Sequence, residues 1–150
     1  MTKTTEQKFQ LHANFFFEIT VENLKDLFCT MGQDSSYWCH DIVVGEIKQD
    51  SAGCYILEDN HEYEGNCVWV KDLTLDTKIK VEDIEEDTHQ FKVKDVLKAI
   101  ENIISGKTNL NRHDCGEIFQ AFATDDLGLI DASIADSILQ ITTYNTLVYG

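Results

Sequence analysis

The spacing of apolar residues changes part-way along this chain of 150 residues, and that change constrains the fold more than any single motif. Up to Val93 the apolar residues mostly alternate with polar ones or gather in short runs, the period of β-strands. From Val96 onward they recur every three or four residues, the period of helices. Strands mostly first and helices mostly last predict an α+β protein with an antiparallel or mixed sheet.

Leu11, Ala13, Phe15, Phe17 and Ile19 alternate with His12, Asn14, Phe16, Glu18 and Thr20. This predicts a long strand that turns Phe16 away from its two neighbouring rings. Val21, Leu24, Leu27, Phe28 and Met31 predict a helix, with Thr20 as N-cap and Gly32 as its stop. Further strands are expected at Ile42–Lys48, Cys54–Glu58, Cys67–Lys71, Lys78–Glu82 and Gln90–Val93. Val96, Leu97, Ile100, Ile103 and Ile104 form one helical stripe that ends at Gly106. Asp114 with Glu117 predicts a capping box for a helix carrying Ile118, Phe119 and Phe122. Asp131 is expected to cap a last helix with Ile134, Ala135, Ile138 and Leu139 facing inward, and Thr146–Tyr149 to close as a strand. There is no proline, no repeat and no linker-like tract. The expectation is a single compact α+β domain over residues 1–150. It should have about five to six strands and three to four helices, the helices concentrated in the C-terminal half.

Charge narrows the function. Twenty-seven acids stand against twelve bases, a net charge of −15, on a chain that is 43 % hydrophobic. That apolar content excludes a disordered acidic tail. Twelve dispersed cations argue against direct nucleic-acid binding and against an anionic membrane surface. The five cysteines are odd in number and widely spaced, which predicts reduced thiols and a cytoplasmic setting. The polar N-terminus does not read as a signal peptide, and no apolar run approaches the roughly 18 residues of a membrane span.

Three blocks carry a family resemblance: Phe28–Val44 with its Tyr-Trp-Cys run, Phe91–Gly106, and Ile130–Gly150 with its Val-Tyr-Gly end. In this order they resemble a family of small acidic proteins encoded by phages and other mobile elements of gut Firmicutes. The chain departs from that family at Asp34 and Ser35, where its members usually carry two glycines. The resemblance implies a setting, a mobile element in a bacterial cytoplasm. It implies no reaction and transfers no catalytic residues.

No nucleophile elbow, zinc-protease helix, P-loop or dinucleotide fingerprint is present. Cys39-His40-Asp41 places thiol, imidazole and carboxylate in succession, but neighbours on a strand point to opposite faces, so a catalytic role is not expected. Neither Asp59 with His61, Glu62 and Glu64 nor His113 with Cys115 has the rhythm of a metal site, and no metal or cofactor is expected. The acidic runs carry the main expectation. Glu58, Asp59, Glu62 and Glu64, and then Glu82, Asp83, Glu85, Glu86 and Asp87, fall between predicted strands as exposed connections. Carboxylates spaced like phosphates fit the basic groove of a nucleic-acid-binding protein. The primary expectation is therefore a non-enzymatic inhibitor or interaction protein. Its partner would be a basic host protein, such as a CRISPR or restriction nuclease. The alternative is a nucleotide-signal binder using Tyr37 and Trp38 as a stacking platform and His40 as a polar contact. The oligomeric state is open on sequence alone, with a homo-oligomer allowed.

Overall fold

A computed structural model describes residues 6–11 and 13–150. Among these, four helices and five strands follow one another as α1 (Val21–Asp34), β1 (Cys39–Val44), β2 (His61–Glu64), β3 (Cys67–Val70), β4 (Lys78–Asp83), β5 (Thr88–Lys92), α2 (Val93–Ile104), α3 (Arg112–Ala123) and α4 (Ala132–Tyr144). A 3-10 turn at Leu127–Leu129 precedes α4.

The sheet is mixed, in the order β2-β3-β1-β4-β5. β1 runs parallel to β3, and every other pair is antiparallel. Register defines the two faces. Ile42, Val44, Cys67, Trp69, Ile79 and Val81 share one face and are buried. All four helices lie on that side: α1 packs on α4 and on β2 and β3, and α2 packs on α3, α4 and β5. On the outer face, Val43 and Val68 are also buried. The long crossover from β1 to β2 covers them, with Tyr55 and Leu57 lining a recess beside Val68.

The helix ends follow elementary capping chemistry. Thr20 Oγ1 accepts from the Asn23 amide at 3.1 Å while Asn23 Oδ1 accepts from the Thr20 amide at 3.4 Å, a reciprocal box. α1 does not stop at Gly32 but runs to Asp34. α3 starts earlier than its sequence suggests: Asn111, not Asp114, is the N-cap, its Oδ1 accepting from the Asp114 amide at 2.8 Å. Asp131 caps α4 as expected, accepting from the Ile134 amide at 2.8 Å.

Three predicted strands do not form. Described residues of Leu11–Ile19 take no regular structure, and His12 lies outside the described residues. Cys54–Glu58 contributes only a single bridge, Gln49 to Tyr55. Thr146–Tyr149 is irregular and packs back on the core through Leu147 and Tyr149. Conversely, the acidic stretch expected to be a loop contains the edge strand β2.

Candidate functional site

The densest chemistry gathers where β1 begins. A bulge there lets Cys39 pair with Asp83 while Asp41 pairs with Glu82. Cys39 faces the core, His40 is exposed, and Asp41 lies half-buried on the outer face. Burial, then Asp41 and Asp136, push the Cys39 thiol up to about 12. The thiol donates to the Asp41 carbonyl at 3.4 Å, so the three residues diverge.

The adjoining β4–β5 turn carries the acidic run, and its first aspartate is not a surface charge. Asp83 is only 3 % exposed. Its Oδ1 accepts from the amides of Glu85 at 2.9 Å and Asp87 at 3.1 Å. Its Oδ2 accepts from Tyr144 Oη and from His89 Nε2, both at 2.8 Å. An ionised carboxylate only accepts, so His89 Nε2 carries the proton. Burial alone would raise the Asp83 carboxyl. The bonds from His89, Tyr144 and the two amides outweigh it and hold the group down at about 2. Asp83 is thus withdrawn from the expected contact set, and its bonds shape the turn that leaves Glu85, Glu86 and Asp87 exposed. Glu86 sits in the left-handed region at φ 63°.

Beneath this end lies a buried polar knot. Trp38 Nε1 donates to Asp136 Oδ1 at 2.5 Å, and Tyr37 Oη donates to Asp136 Oδ2 at 2.6 Å. Gln140 Nε2 donates to Asp136 Oδ2 at 3.0 Å and to the Tyr37 oxygen at 2.9 Å. Gln140 Oε1 accepts the amides of Val148 and Tyr149, which holds the C-terminal segment down. Tyr149 stacks on Trp38 with centroids 5.6 Å apart, and Tyr144 packs against the same indole at 5.7 Å. Burial and Asp136 push the Tyr37 phenol up. The indole is 0 % exposed, so Trp38 cannot stack on a nucleobase. Tyr37 keeps an exposed ring but commits its hydroxyl inward, and His40 stands apart on the bulge. The platform expected of Tyr37, Trp38 and His40 does not assemble.

The other acidic segment divides. Glu58 and Asp59 are exposed before β2. Glu62 and Glu64 stand on β2, half-buried on the helix side, where Glu62 accepts from Trp69 Nε1 at 3.1 Å and meets Lys71 Nζ at 3.8 Å. Burial and then Glu64, Asp26 and Glu62 raise the Cys29 thiol, so α1 adds Asp26 to this edge. β2 and β4 are three strands apart in the sheet, about 14 Å. The two acidic segments are therefore two patches rather than one face.

The β4–β5 patch has an unusual electrostatic arrangement. Asp41 lies directly across from Glu82, like charge facing like charge. Among the described residues neither forms an ion pair, and nor do Glu85, Glu86 or Asp87. At the other end of the same hairpin Lys78 faces Lys92, with Lys80 on the same outer face. Asp76 bridges Lys92 at 3.5 Å and Lys94 at 3.4 Å. The cations are thus less dispersed than their sequence positions suggest.

No family model, curated protein or solved structure matches the chain. Among the described residues, no group of three or more His, Cys, Asp or Glu side chains is placed to hold a metal ion, and no helix is long and apolar enough to cross a membrane. Asp136, Gln140, Tyr144, Tyr149 and His89 were absent from the sequence-derived candidates, although they build the support under the acidic end. The one legible signal was Asp136 itself, an acid set among Ile134, Ala135, Ile138 and Leu139.

Proposed function

We propose that the chain is a non-enzymatic interaction protein whose acidic end, formed by Asp41, Glu82, Glu85, Glu86 and Asp87, docks on a basic surface of a nucleic-acid-binding protein in place of DNA. The observation that carries this reading is the facing pair Asp41 and Glu82, in register across two strands and without a cation of its own. Like charges directly opposite each other destabilise a sheet. A partner's lysines or arginines supply the missing counter-charge and relieve that repulsion on binding. The four hydrogen bonds to Asp83 hold the turn in one shape, so little ordering is left to the encounter. Glu58 and Asp59, with Glu62 and Glu64, form a second patch that steers approach through its field.

The resemblance of the Tyr-Trp-Cys block and the C-terminal block to mobile-element proteins supports a bacterial defence nuclease, of the CRISPR or restriction kind, as the target. The test is capture of the intact chain's partner from a bacterial host, followed by titration at several salt concentrations. The triple variant Glu82→Lys, Glu85→Lys, Glu86→Lys is expected to weaken binding by more than about a hundredfold, roughly 3 kcal/mol. Wild-type affinity is expected to fall steeply with added salt. Equal affinity of variant and wild type, or binding insensitive to salt, rejects the proposal.

A further inference from the structure

The segment Glu6–Ile19 carries the most regular strand-like alternation in the chain, yet its described residues form no strand in the single chain. Among its described residues none takes part in a backbone–backbone hydrogen bond. Its hold on the body is aromatic. Phe15 and Phe17 stack on each other at 6.0 Å and meet Phe119 of α3 edge to face, at 4.9 and 5.6 Å, with Phe17 also 6.0 Å from Phe122. Leu97, Ile100 and Ile104 of α2 line the same groove. In an extended strand, alternation would put Phe9 and Leu11 on the same side of the segment as Phe15 and Phe17. Phe9 and Leu11 do not line that groove and stand 86 % and 92 % exposed, and Phe16 at its rim is 86 % exposed.

Described backbone without partners, next to three bare apolar side chains, is what an arm able to become a strand presents when its neighbour is missing. We infer that the neighbour is the same segment of a second copy. The two arms pair antiparallel across a twofold axis, and Phe9 and Leu11 of each arm lie over the body of the other copy. When extended, Phe9 to Phe17 spans about 27 Å, enough to reach from one body to the next. Such a pairing is self-complementary, as a twofold interface requires.

Charge argues for a second copy rather than a foreign basic protein at this surface. The described residues of 6–20 hold one base, Lys8, and two acids, Glu6 and Glu18. Residues 91–123, which include α2 and α3, hold five bases and four acids. The whole negative excess lies elsewhere, so this is the side on which two molecules of charge −15 approach with least repulsion. It is also independent of the acidic end proposed above to meet a partner.

The experiment is sedimentation velocity and light scattering on the full chain from about 1 to 100 µM, with amide exchange of residues 9–18 at both ends of that range. The wild type is expected to dimerise, with arm amides slowed only where the dimer is populated. Because Phe9, Leu11 and Phe16 are exposed in the single chain, the triple variant Phe9→Ser, Leu11→Ser, Phe16→Ser is expected to keep its circular dichroism and melting temperature. Its dimer dissociation constant should rise by at least about tenfold, or 1.4 kcal/mol. Three results overturn the inference: a wild type that stays monomeric throughout, a dimer undiminished in the variant, or a dimer whose arm amides exchange as freely as those of the monomer.

Discussion

Removing the carboxylate of Asp136 orphans three donors at once: the Trp38 indole N–H, the Tyr37 hydroxyl and the Gln140 amide. An unsatisfied buried donor costs about 1–3 kcal/mol, so Asp136→Ala is expected to destabilise the protein by at least about 3 kcal/mol in urea unfolding. Asp136→Asn, which keeps an oxygen for the indole, should cost less. Asp83 gives a pH signature instead. Its carboxyl is lowered in the folded state, so its contribution is complete above about pH 4 and disappears as pH falls through about 2. Unfolding midpoints of Asp83→Asn and the wild type should differ at pH 5 and converge towards pH 2. An unchanged gap over that range would show that the buried carboxylate is not the group that titrates. The burial of Asp83 was legible in principle, because Ile79, Val81 and Asp83 alternate onto the core face of one strand. Its company in a run of acids masked this. Asp136 is legible only as an acid among apolar neighbours, not from periodicity: α4 is buried on nearly every side, so no period separates its polar from its apolar face.

At the level of elements, α1 and the β2–β3 turn approach each other closely. A Cβ added at Gly32 would meet the Glu64 carbonyl oxygen at 2.0 Å, and one at Gly65 would meet the Gly32 carbonyl oxygen at 1.8 Å, with Gly65 at φ +55° besides. Alanine normally favours a helix over glycine by about 1 kcal/mol, but a backbone clash of this depth outweighs that. Gly32→Ala is expected to lower stability by more than about 2 kcal/mol in the same unfolding assay; a stabilised variant would show that the helix merely rests on the turn. Gly32 looked like a helix stop because glycine has that meaning in isolation, and only the turn 32 residues later reveals the contact. The strands at the sheet centre were readable from their β-branched runs. β2 was not, since His61–Glu64 has little strand character and is held by backbone pairing to β3. The N-terminal alternation predicts a strand for a sound reason, but a strand needs a neighbour and among the described residues the single chain offers none.

For the whole molecule, the surplus of fifteen negative charges is a standing strain on the compact state. Screening relieves it: as salt rises from 0.01 to 0.15 M the Debye length shrinks from about 30 to about 8 Å, and the melting temperature at pH 7 is expected to rise. A flat salt dependence would mean that the acidic patches already find local compensation. One substitution separates binding from folding. Glu82→Lys turns its pairing with Asp41 from repulsive to attractive, so the free chain should gain about 0.5 kcal/mol while its affinity for a basic partner falls. A surface that only solvates the chain would show the first effect without the second. The sum of charges was plain in the sequence. Their arrangement was not, because a linear order does not show that Asp41 and Glu82 would meet across a sheet.

The bond from Trp38 to Asp136 joins residues 98 positions apart. On a ribosome adding about 5–20 residues per second, the indole emerges on the order of 5–20 s before its acceptor exists. Through that interval the newborn chain has an unsealed hearth of aromatic rings, and its survival depends on chaperones or on speed until the final helix arrives to close it.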